Sequence, residues 1–387
     1  MRRIIPILLL AILDLSAPVM ADVSWLGELA GACIQTDNNR FIGATDDGLG
    51  SCDSNELVLA GRWEPTRRWA FSAQGLARNA GELDDKHFHL SQAFGEYLVY
   101  AGQNQDHVLR FGRMTLPLGF YNETRDIAST RPSIILPQSI YFERARMLLA
   151  GQDGLSWDST YMSDIGSTQL RAGRWFHKAN VDEADVDTYL FGADQPGSFS
   201  NKGDGWFFVA DHQWNSLHLR WSVVSGVLNY KPAPGEIRGS GESQSFASTV
   251  SAHYQVGLSH TITAEHQIGS GKSIDYDPIP DFIARWDGTY VQYNYLLDNS
   301  TIYARYDYFR YDDDTSDILQ AIGQPQHATY SKDAMIGYRY HFDSQVTLSA
   351  EYHKLKGTGW LSRVENPIPG DTAKNWDLFA LQLVIGF

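Results

Sequence analysis

The sequence predicts an all-β fold: a 16-stranded antiparallel transmembrane β-barrel with a long constriction loop after the fifth strand. Three observations predict it. The last thirteen residues alternate between an apolar and a mixed face, sixteen such segments recur along the chain, and the connections between them alternate between short and long. Successive side chains of a strand point to opposite faces. In a barrel wall, one face meets lipid and the other an aqueous lumen.

The C-terminal segment shows the alternation most clearly. Its apolar face consists of Phe379, Leu381, Leu383, Ile385 and Phe387. Its mixed face consists of Trp376, Leu378, Ala380, Gln382, Val384 and Gly386. We expect this strand to close the barrel by pairing with the first predicted strand, 23–31, in which Val23, Trp25, Gly27 and Leu29 continue the lipid face.

The other predicted strands are runs of about ten residues bounded by turn residues. They are 55–63, 68–78, 91–100, 106–114, 153–162, 167–177, 203–213, 216–226, 246–256, 259–269, 285–296, 298–310, 332–342 and 345–356, between the first strand and the last at 375–387. Seven tight turns interleave with eight long polar loops, which is the sidedness of an outer-membrane barrel. A soluble β-sandwich also has short strands, but it gives no reason for this alternation of loop length.

The N-terminus is predicted to be a signal peptide over residues 1–21, followed by a single barrel domain over 22–387. Arg2 and Arg3 precede an apolar run, and a small-residue cleavage site ends at Ala21, the arrangement of an export signal. A membrane anchor is the alternative, although the run is too short to span a bilayer. Export places the mature chain in the outer membrane of a Gram-negative bacterium.

Charge and hydropathy exclude two classes of protein. The formal net charge is -15, and removal of the signal peptide makes it -16, whereas nucleic-acid binding requires a basic face. After the signal peptide, no stretch approaches the 18 apolar residues that a membrane-spanning helix needs. The aromatic content of 13% is typical of a barrel with aromatic girdles at both interfaces.

The two cysteines, Cys33 and Cys52, lie close together in a Gly-, Asp- and Asn-rich segment. In an exported protein this spacing predicts one disulfide across a loop. In the chain-entropy model, closing about 20 residues contributes roughly 3 kcal/mol. A metal site is the alternative, but it needs more ligands than the segment offers. No metal and no cofactor is predicted.

One connection differs from the other long loops. Residues 115–152 form a 38-residue segment that carries its own apolar side chains, among them Ile134, Ile135, Ile140 and Phe142. A long loop of this kind is usually functional, and apolar residues of this number must pack against something. We expect the segment to fold into the barrel.

The architecture resembles the Gram-negative outer-membrane porins, which also combine sixteen strands, a C-terminal Phe and a long loop after the fifth strand. In that family the loop folds inward and narrows the channel. The pair Gly112-Arg113, followed by 116–119 (Leu-Pro-Leu-Gly), is also similar to the strand-to-loop junction of the phosphate-selective porin O and P family. Phosphate selectivity is not transferred, because no run of lysines is evident. The resemblance implies a homotrimer.

The charges of the constriction loop differ from those of the other long loops, which are acidic. The predicted constriction residues are Arg125, Arg131, Arg144, Arg146, Glu123, Asp126 and Glu143, a net of +1. In one interpretation the arginines line an eyelet and attract anionic groups on the solute. In the other they pair with acids of the loop and wall, such as Glu28, Glu96 or Glu351, and hold the loop in place. The sequence leaves both open.

Five further arginines fall on lumen-facing phases of predicted strands. These pore-wall candidates are Arg62, Arg110, Arg220, Arg305 and Arg339. On the outer side, the acidic loops are either solvated or hold divalent cations that bridge lipopolysaccharide phosphates. Lipid and lipopolysaccharide are therefore expected partners, and nucleic acid is not.

The expected function is passive diffusion of small hydrophilic solutes. The loop arginines favour small charged metabolites such as carboxylates or phosphates. A barrel hydrolase is one alternative, but the chain has no Gly-x-Ser-x-Gly elbow and its histidines are scattered over several strands. A structural or adhesive barrel is the other alternative. We do not predict an enzyme.

Overall fold

Seventeen strand segments form one closed antiparallel sheet in the computed structural model, which describes residues 22–43, 50–81, 83–84, 87–149, 151–175, 197–200, 205–237, 239–278 and 280–387. The strands are Asp22–Thr36 (β1), Gly50–Glu64 (β2), Trp69–Ala80 (β3), His87–Ala101 (β4), Gln105–Thr115 (β5), Gly151–Ser163 (β6), Gly166–Trp175 (β7), Ser198–Ser200 (β8), Gly205–Trp214 (β9), Leu217–Lys231 (β10), Gly241–Val256 (β11), His260–Ile274 (β12), Phe282–Leu297 (β13), Ser300–Tyr311 (β14), Tyr330–His341 (β15), Val346–Gly357 (β16) and Asn375–Gly386 (β17). The predicted signal peptide, 1–21, lies outside the described residues.

The described wall has sixteen strand positions, because β8 and β9 share one of them. Both pair with β10. β9 pairs with the first part of β10, and β8 pairs with the last part of β10. Each remaining strand pairs with its neighbours in sequence, and β1 pairs with β17, from Glu28 opposite Gly386 to Thr36 opposite Leu378. The predicted 16-stranded antiparallel barrel and its seam are therefore confirmed.

The two faces of the wall follow the predicted alternation. In β17, Phe379, Leu381 and Leu383 are exposed on the outer face, whereas Leu378 and Ala380 are buried on the inner face. Aromatic residues such as Trp25, at 69% exposure, add to the apolar outer surface. An exposed apolar surface of this extent is suited to lipid rather than to water.

Helical segments occur only in connections within the described chain. They are α1 (Arg146–Leu149), α2 (Asp313–Ala321) and the 3₁₀ turns Asn122–Thr124, Ala128–Thr130, Glu143–Ala145, Gln326–Thr329 and Pro369–Asp371. Helix α2 lies in a region predicted to be loop, 311–331. The Asp312 side chain accepts the Thr315 N–H at 2.9 Å and so caps the helix. Among the described residues, no helix has the length and apolarity needed to cross a bilayer.

The predicted Cys33–Cys52 disulfide is confirmed, but it does not close a free loop. β1 and β2 extend past their predicted ends, so the two cysteines lie on adjacent strands. The β1–β2 register shifts between Ala32 and Ile34, beside Cys33. The bond therefore joins two neighbouring strands of the wall, β1 and β2.

A hydrophobic core lies inside the barrel. It is built from three connections, 37–43, 116–149 and 358–374, packed on the inner faces of β1, β3, β14, β16 and β17. Its residues from the connections are Phe41, Ile42, Ile134, Ile135, Phe142, Ala145, Trp360 and Leu361. The apolar side chains of the predicted constriction segment are therefore buried against the wall. We call residues 116–149 the inner loop.

Gly112, in the strand that leads into the inner loop, allows a close approach of two backbones. It has a φ of 120°, and a Cβ there would clash with the carbonyl oxygen of Ala93 and lie 2.9 Å from the Phe94 Cα. We expect Gly112→Ala to destabilise the barrel by at least about 1–3 kcal/mol. The measurement is the temperature at which the folded band is lost in a heat-modifiability gel. Gly61→Ala, where the nearest atom to a Cβ is 3.8 Å away, should unfold like the parent protein.

Candidate functional site

The lumen is the candidate site. The inner loop crosses it, and N–H groups of the loop donate hydrogen bonds to carboxylates of the wall. Glu351 of β16 accepts the N–H groups of Ile134 at 2.5 Å and Ile135 at 3.3 Å. Glu265 of β12 accepts the Phe120 N–H at 2.8 Å. Glu28 of β1 accepts the Ser129 N–H at 3.2 Å. Buried N–H groups need acceptors, and inward-facing acids supply them from well-separated strands.

Three of the five predicted pore-wall arginines donate to carbonyl groups of the same loop. Arg220 donates to the Gly119 carbonyl at 2.8 Å. Arg305 donates to the Ile135 carbonyl at 2.9 Å. Arg339 donates to the Arg131 carbonyl at 3.1 Å. These arginines face the lumen as their strand phase predicts, and there they hold the loop backbone.

Three of the four arginines predicted to form the constriction lie in a buried ionic cluster. Its members, which we call the loop cluster, are Arg78, Arg125, Arg131, Arg146, Glu56, Asp84, Asp126 and Glu143. Arg131 contacts Glu56 at 2.5 Å, and Arg146 contacts Asp126 at 2.6 Å. Arg125 is only 2% exposed and contacts Glu143 at 3.1 Å. Four guanidinium groups and four carboxylates balance each other in this cluster.

Burial and neighbouring charges shift the pKa values of the loop residues in this cluster in opposite directions. Burial alone would raise the pKa of Glu143, but the guanidinium groups of Arg78, Arg146 and Arg125 hold that pKa well below its usual range. Burial would likewise raise the pKa of Asp126, and Arg146 holds it below its usual range. Burial lowers the pKa of Arg125 to about 10, so this side chain remains charged at neutral pH.

Arg144 occupies a different environment from the other loop arginines. It is half-buried and donates to the Tyr311 hydroxyl at 3.1 Å. Its guanidinium carbon lies 5.2 Å from the centre of the Phe142 ring and 5.9 Å from that of Phe309. These are cation–π distances, and they attach the end of the inner loop to β14.

A chain of ion pairs runs along the other side of the lumen, and we call it the ion-pair belt. In order, its members are Arg62, Glu96, Arg110, Asp158, Arg171, Glu123, Arg220 and Asp211. From Glu96 onward, the nitrogen–oxygen distances between successive members lie between 2.5 and 3.4 Å. Glu123 comes from the inner loop and the others from seven wall strands. The belt thus includes the remaining pore-wall candidates, Arg62 and Arg110.

A cleft of about 90 Å³ opens beside the belt. It is lined by Gln92, Phe94, Arg110, Met114, Thr115, Glu123, Arg171 and Phe207. The hydrophobic core packs instead on β1, β3, β14, β16 and β17. The belt and the cleft therefore lie on the side of β4 to β10, where a second, smaller apolar cluster also packs on β7, β9 and β10.

Several functional residues were missed by the sequence analysis although their strand phase was readable. Arg171 lies between Leu170 and Ala172, which are exposed on the outer face, so alternation alone places it in the lumen. Glu56 precedes the outward-facing Leu57 in the same way. Alternation does not predict how far along the barrel axis a side chain lies. The pairing of Glu56 with Arg131 depends on that position.

Comparison with known proteins shows which of them share this fold. No protein-family model and no curated protein sequence matches this chain. Among solved structures, the outer membrane channel DcaP of Acinetobacter baumannii matches with a TM-score of 0.60 and 13% identity over 95% of this chain and 97% of that one. The chain has a general porin fold.

Two further structures share this fold. The anion-selective porin from Comamonas acidovorans matches with a TM-score of 0.58 and 12% identity, over 95% of this chain and 100% of that one. OmpT of Vibrio cholerae is an outer membrane protein solved in a trimer form. It matches with a TM-score of 0.56 and 12% identity, over 95% of this chain and 99% of that one. At these identities the porin fold is what the likeness shows.

Loss of the Glu143 charge should release the inner loop. Glu143→Gln leaves Arg78 and Arg125 without their shared carboxylate, and breaking a buried pair costs about 3–5 kcal/mol. We expect trypsin to cleave the variant faster after Arg144 and Arg146 in detergent micelles. Asp287→Asn is the control, because its pair with Arg310 is exposed and such pairs contribute less than about 1 kcal/mol. Equal cleavage rates in the two variants would contradict the assignment.

Acid should weaken the same anchor. Because the pKa of Glu143 is lowered in the folded protein, its stabilising contribution is complete above its ordinary value of 4.5 and is lost as the pH falls below that value. Asp126 changes in the same direction. We expect faster amide hydrogen exchange across 116–149 at about pH 3 than at pH 7 after correction for intrinsic rates. Unchanged protection would show that these carboxylates do not hold the loop.

Proposed function

We propose that the protein is a porin of the Gram-negative outer membrane, through which small hydrophilic solutes diffuse passively. The observation that supports this function best is a closed barrel with an apolar outer face and a lumen lined by charged side chains. An interior of this kind is suited to water and dissolved solutes. The porin fold shared with other outer-membrane proteins also supports it.

We propose that solutes pass along the ion-pair belt. Three connections fill the lumen against β1, β3, β14, β16 and β17 with apolar side chains, and the cleft lies on the side of β4 to β9. Charged groups that line a pore set its ion preference. In this proposal, the belt is the selective surface and the inner loop narrows the passage beside it.

An anion preference follows from how the belt exposes its charges. The Arg62 side chain is 42% exposed and its partner Glu96 11% exposed. The Arg110 side chain is 24% exposed and its partner Asp158 4% exposed. Although belt charges cancel in number, a solute at the Arg62 and Arg110 end of the belt meets these guanidinium groups before Glu96 and Asp158, whereas Glu123 is the exposed carboxylate further along. The loop-cluster arginines shape the constriction by holding the loop, and a direct role for them in selectivity is the competing proposal.

The assembly and surroundings of the channel are also proposals. The trimer form of the Vibrio cholerae protein supports a homotrimer here, and the apolar outer face supports contact with lipid and lipopolysaccharide. Kinship with the phosphate-selective O and P family rests on the junction at Gly112 and Arg113 alone. A structural or adhesive barrel, or a barrel hydrolase, is distinguished by silence in a conductance experiment.

Planar bilayers in a KCl gradient test this function. We expect stepwise conductance and a reversal potential on the anion-selective side. In Arg62→Gln/Arg110→Gln, the anion-to-cation permeability ratio should fall up to about six-fold per charge, since a unit charge about 8 Å away in water attracts an anion and repels a cation by about 0.5 kcal/mol each. Arg310→Gln, an outward-facing exposed arginine, should leave the ratio unchanged.

The same measurement separates the two views of the loop arginines. A shift confined to the belt variant supports selection at the belt. A shift in Arg144→Gln that equals or exceeds that of the belt variant would favour an eyelet on the inner loop instead. A protein that inserts without conducting would contradict the porin assignment altogether.

A further inference from the structure

The cleft beside the belt is large enough for a small organic solute. Its volume is about 90 Å³, and one water occupies about 10–15 Å³ by the same measure, which gives about six to nine positions. It lies between Glu123 of the inner loop and the inner faces of β4, β5, β7 and β9. A solute that diffuses along the belt would contact this cleft.

Opposite charges lie side by side in the cleft. Arg171 contacts Glu123 at 2.5 Å, and both line the cleft together with Arg110. Glu123 keeps 26% of its side chain exposed and Arg110 keeps 24%. A ligand that complements such an adjacent pair must carry its own anionic and cationic groups next to each other.

Beside these charges and the polar Gln92 and Thr115, the cleft has an apolar part. Phe94, Met114 and Phe207 line it. Phe207 stacks on Trp175 at 5.5 Å between ring centres and is therefore held rigidly. Aromatic faces and a flexible thioether accept an aliphatic or aromatic group.

We propose that the cleft binds α-amino acids with apolar side chains as they pass through the channel. The carboxylate contacts Arg110 and Arg171, the ammonium group contacts Glu123, and the side chain packs on Phe94, Met114 and Phe207. Both charges of an α-amino acid are attached to one carbon, which matches the adjacent Arg171 and Glu123. This inference rests on the proposed porin function and names a solute class for it. Since the ligand shares groups that already pair with each other, we expect affinity in the millimolar range.

Block of the single-channel current by added solutes tests the proposal, using the full-length refolded protein in planar bilayers. Of three probes, only leucine carries an ammonium group and a carboxylate on the same carbon. Leucine has adjacent charges and an apolar side chain, its isomer 6-aminohexanoate has the same charges far apart, and 4-methylpentanoate lacks the ammonium group. We expect leucine to block at concentrations about five- to ten-fold lower than either analogue.

Glu123→Gln then tests the ammonium contact. This variant should raise the half-blocking concentration of leucine about five- to ten-fold and leave that of 4-methylpentanoate within two-fold of the parent value. Asp287→Asn, an outward-facing acid-to-amide change outside the cleft, should behave as the parent protein does. Rescue of leucine block in Glu123→Asp would show that the charge itself is required.

The outcomes separate this inference from the proposed function. A conducting channel that leucine and 6-aminohexanoate block equally, or in which Glu123→Gln leaves leucine block unchanged, overturns the amino-acid site and leaves the porin function standing. A protein that does not conduct at all overturns both. Preferential leucine block that Glu123→Gln abolishes supports the site.

Discussion

The inner loop must satisfy its backbone polar groups inside a barrel, and the arrangement of the lumen depends on this constraint. Thirty-four residues, 116–149, contain only short helical turns, so most of their N–H and C=O groups have no regular partner. Each buried group left unpaired costs about 1–3 kcal/mol. Wall acids such as Glu351 accept the N–H groups, and wall arginines such as Arg305 donate to the carbonyls. Many lumen charges therefore have a structural role before any solute arrives.

The loop cluster shows why four arginines can be buried together. A buried guanidinium group is tolerated only when carboxylates and further hydrogen-bond acceptors surround it. Glu143 meets three guanidinium groups, and Arg131 reaches both Glu56 and the Arg125 carbonyl. The same pairing removes these charges from contact with solutes. The belt differs because the Arg62 and Arg110 side chains remain partly exposed, and so it carries the proposed selectivity.

Much of the wall could be predicted from the sequence because alternate residues of a strand face opposite sides. Once one residue is assigned to the lipid face, the faces of the others in that strand follow. The period of two in β17 identified its lipid face, and the recurrence of sixteen alternating segments predicted the number of strands. Helix α2 was missed because its amphipathic signal is short, although the capping Asp312 was visible in the acidic run. The partners of Arg125 and Arg146 could not be predicted, because ion pairing inside a barrel depends on strand tilt and on the path of an irregular loop.

The contacts of the inner loop also constrain the order in which the barrel assembles. The acceptor for the Ile134 N–H is Glu351, 217 residues further along the chain. Glu28, in the middle of the first strand, accepts the Ser129 N–H. The loop is thus bound to strands at both edges of the growing sheet, and its last anchors form only when β16 is in place. The inner loop therefore has its full set of wall contacts only when β1 and β16 are both in the wall, on either side of β17.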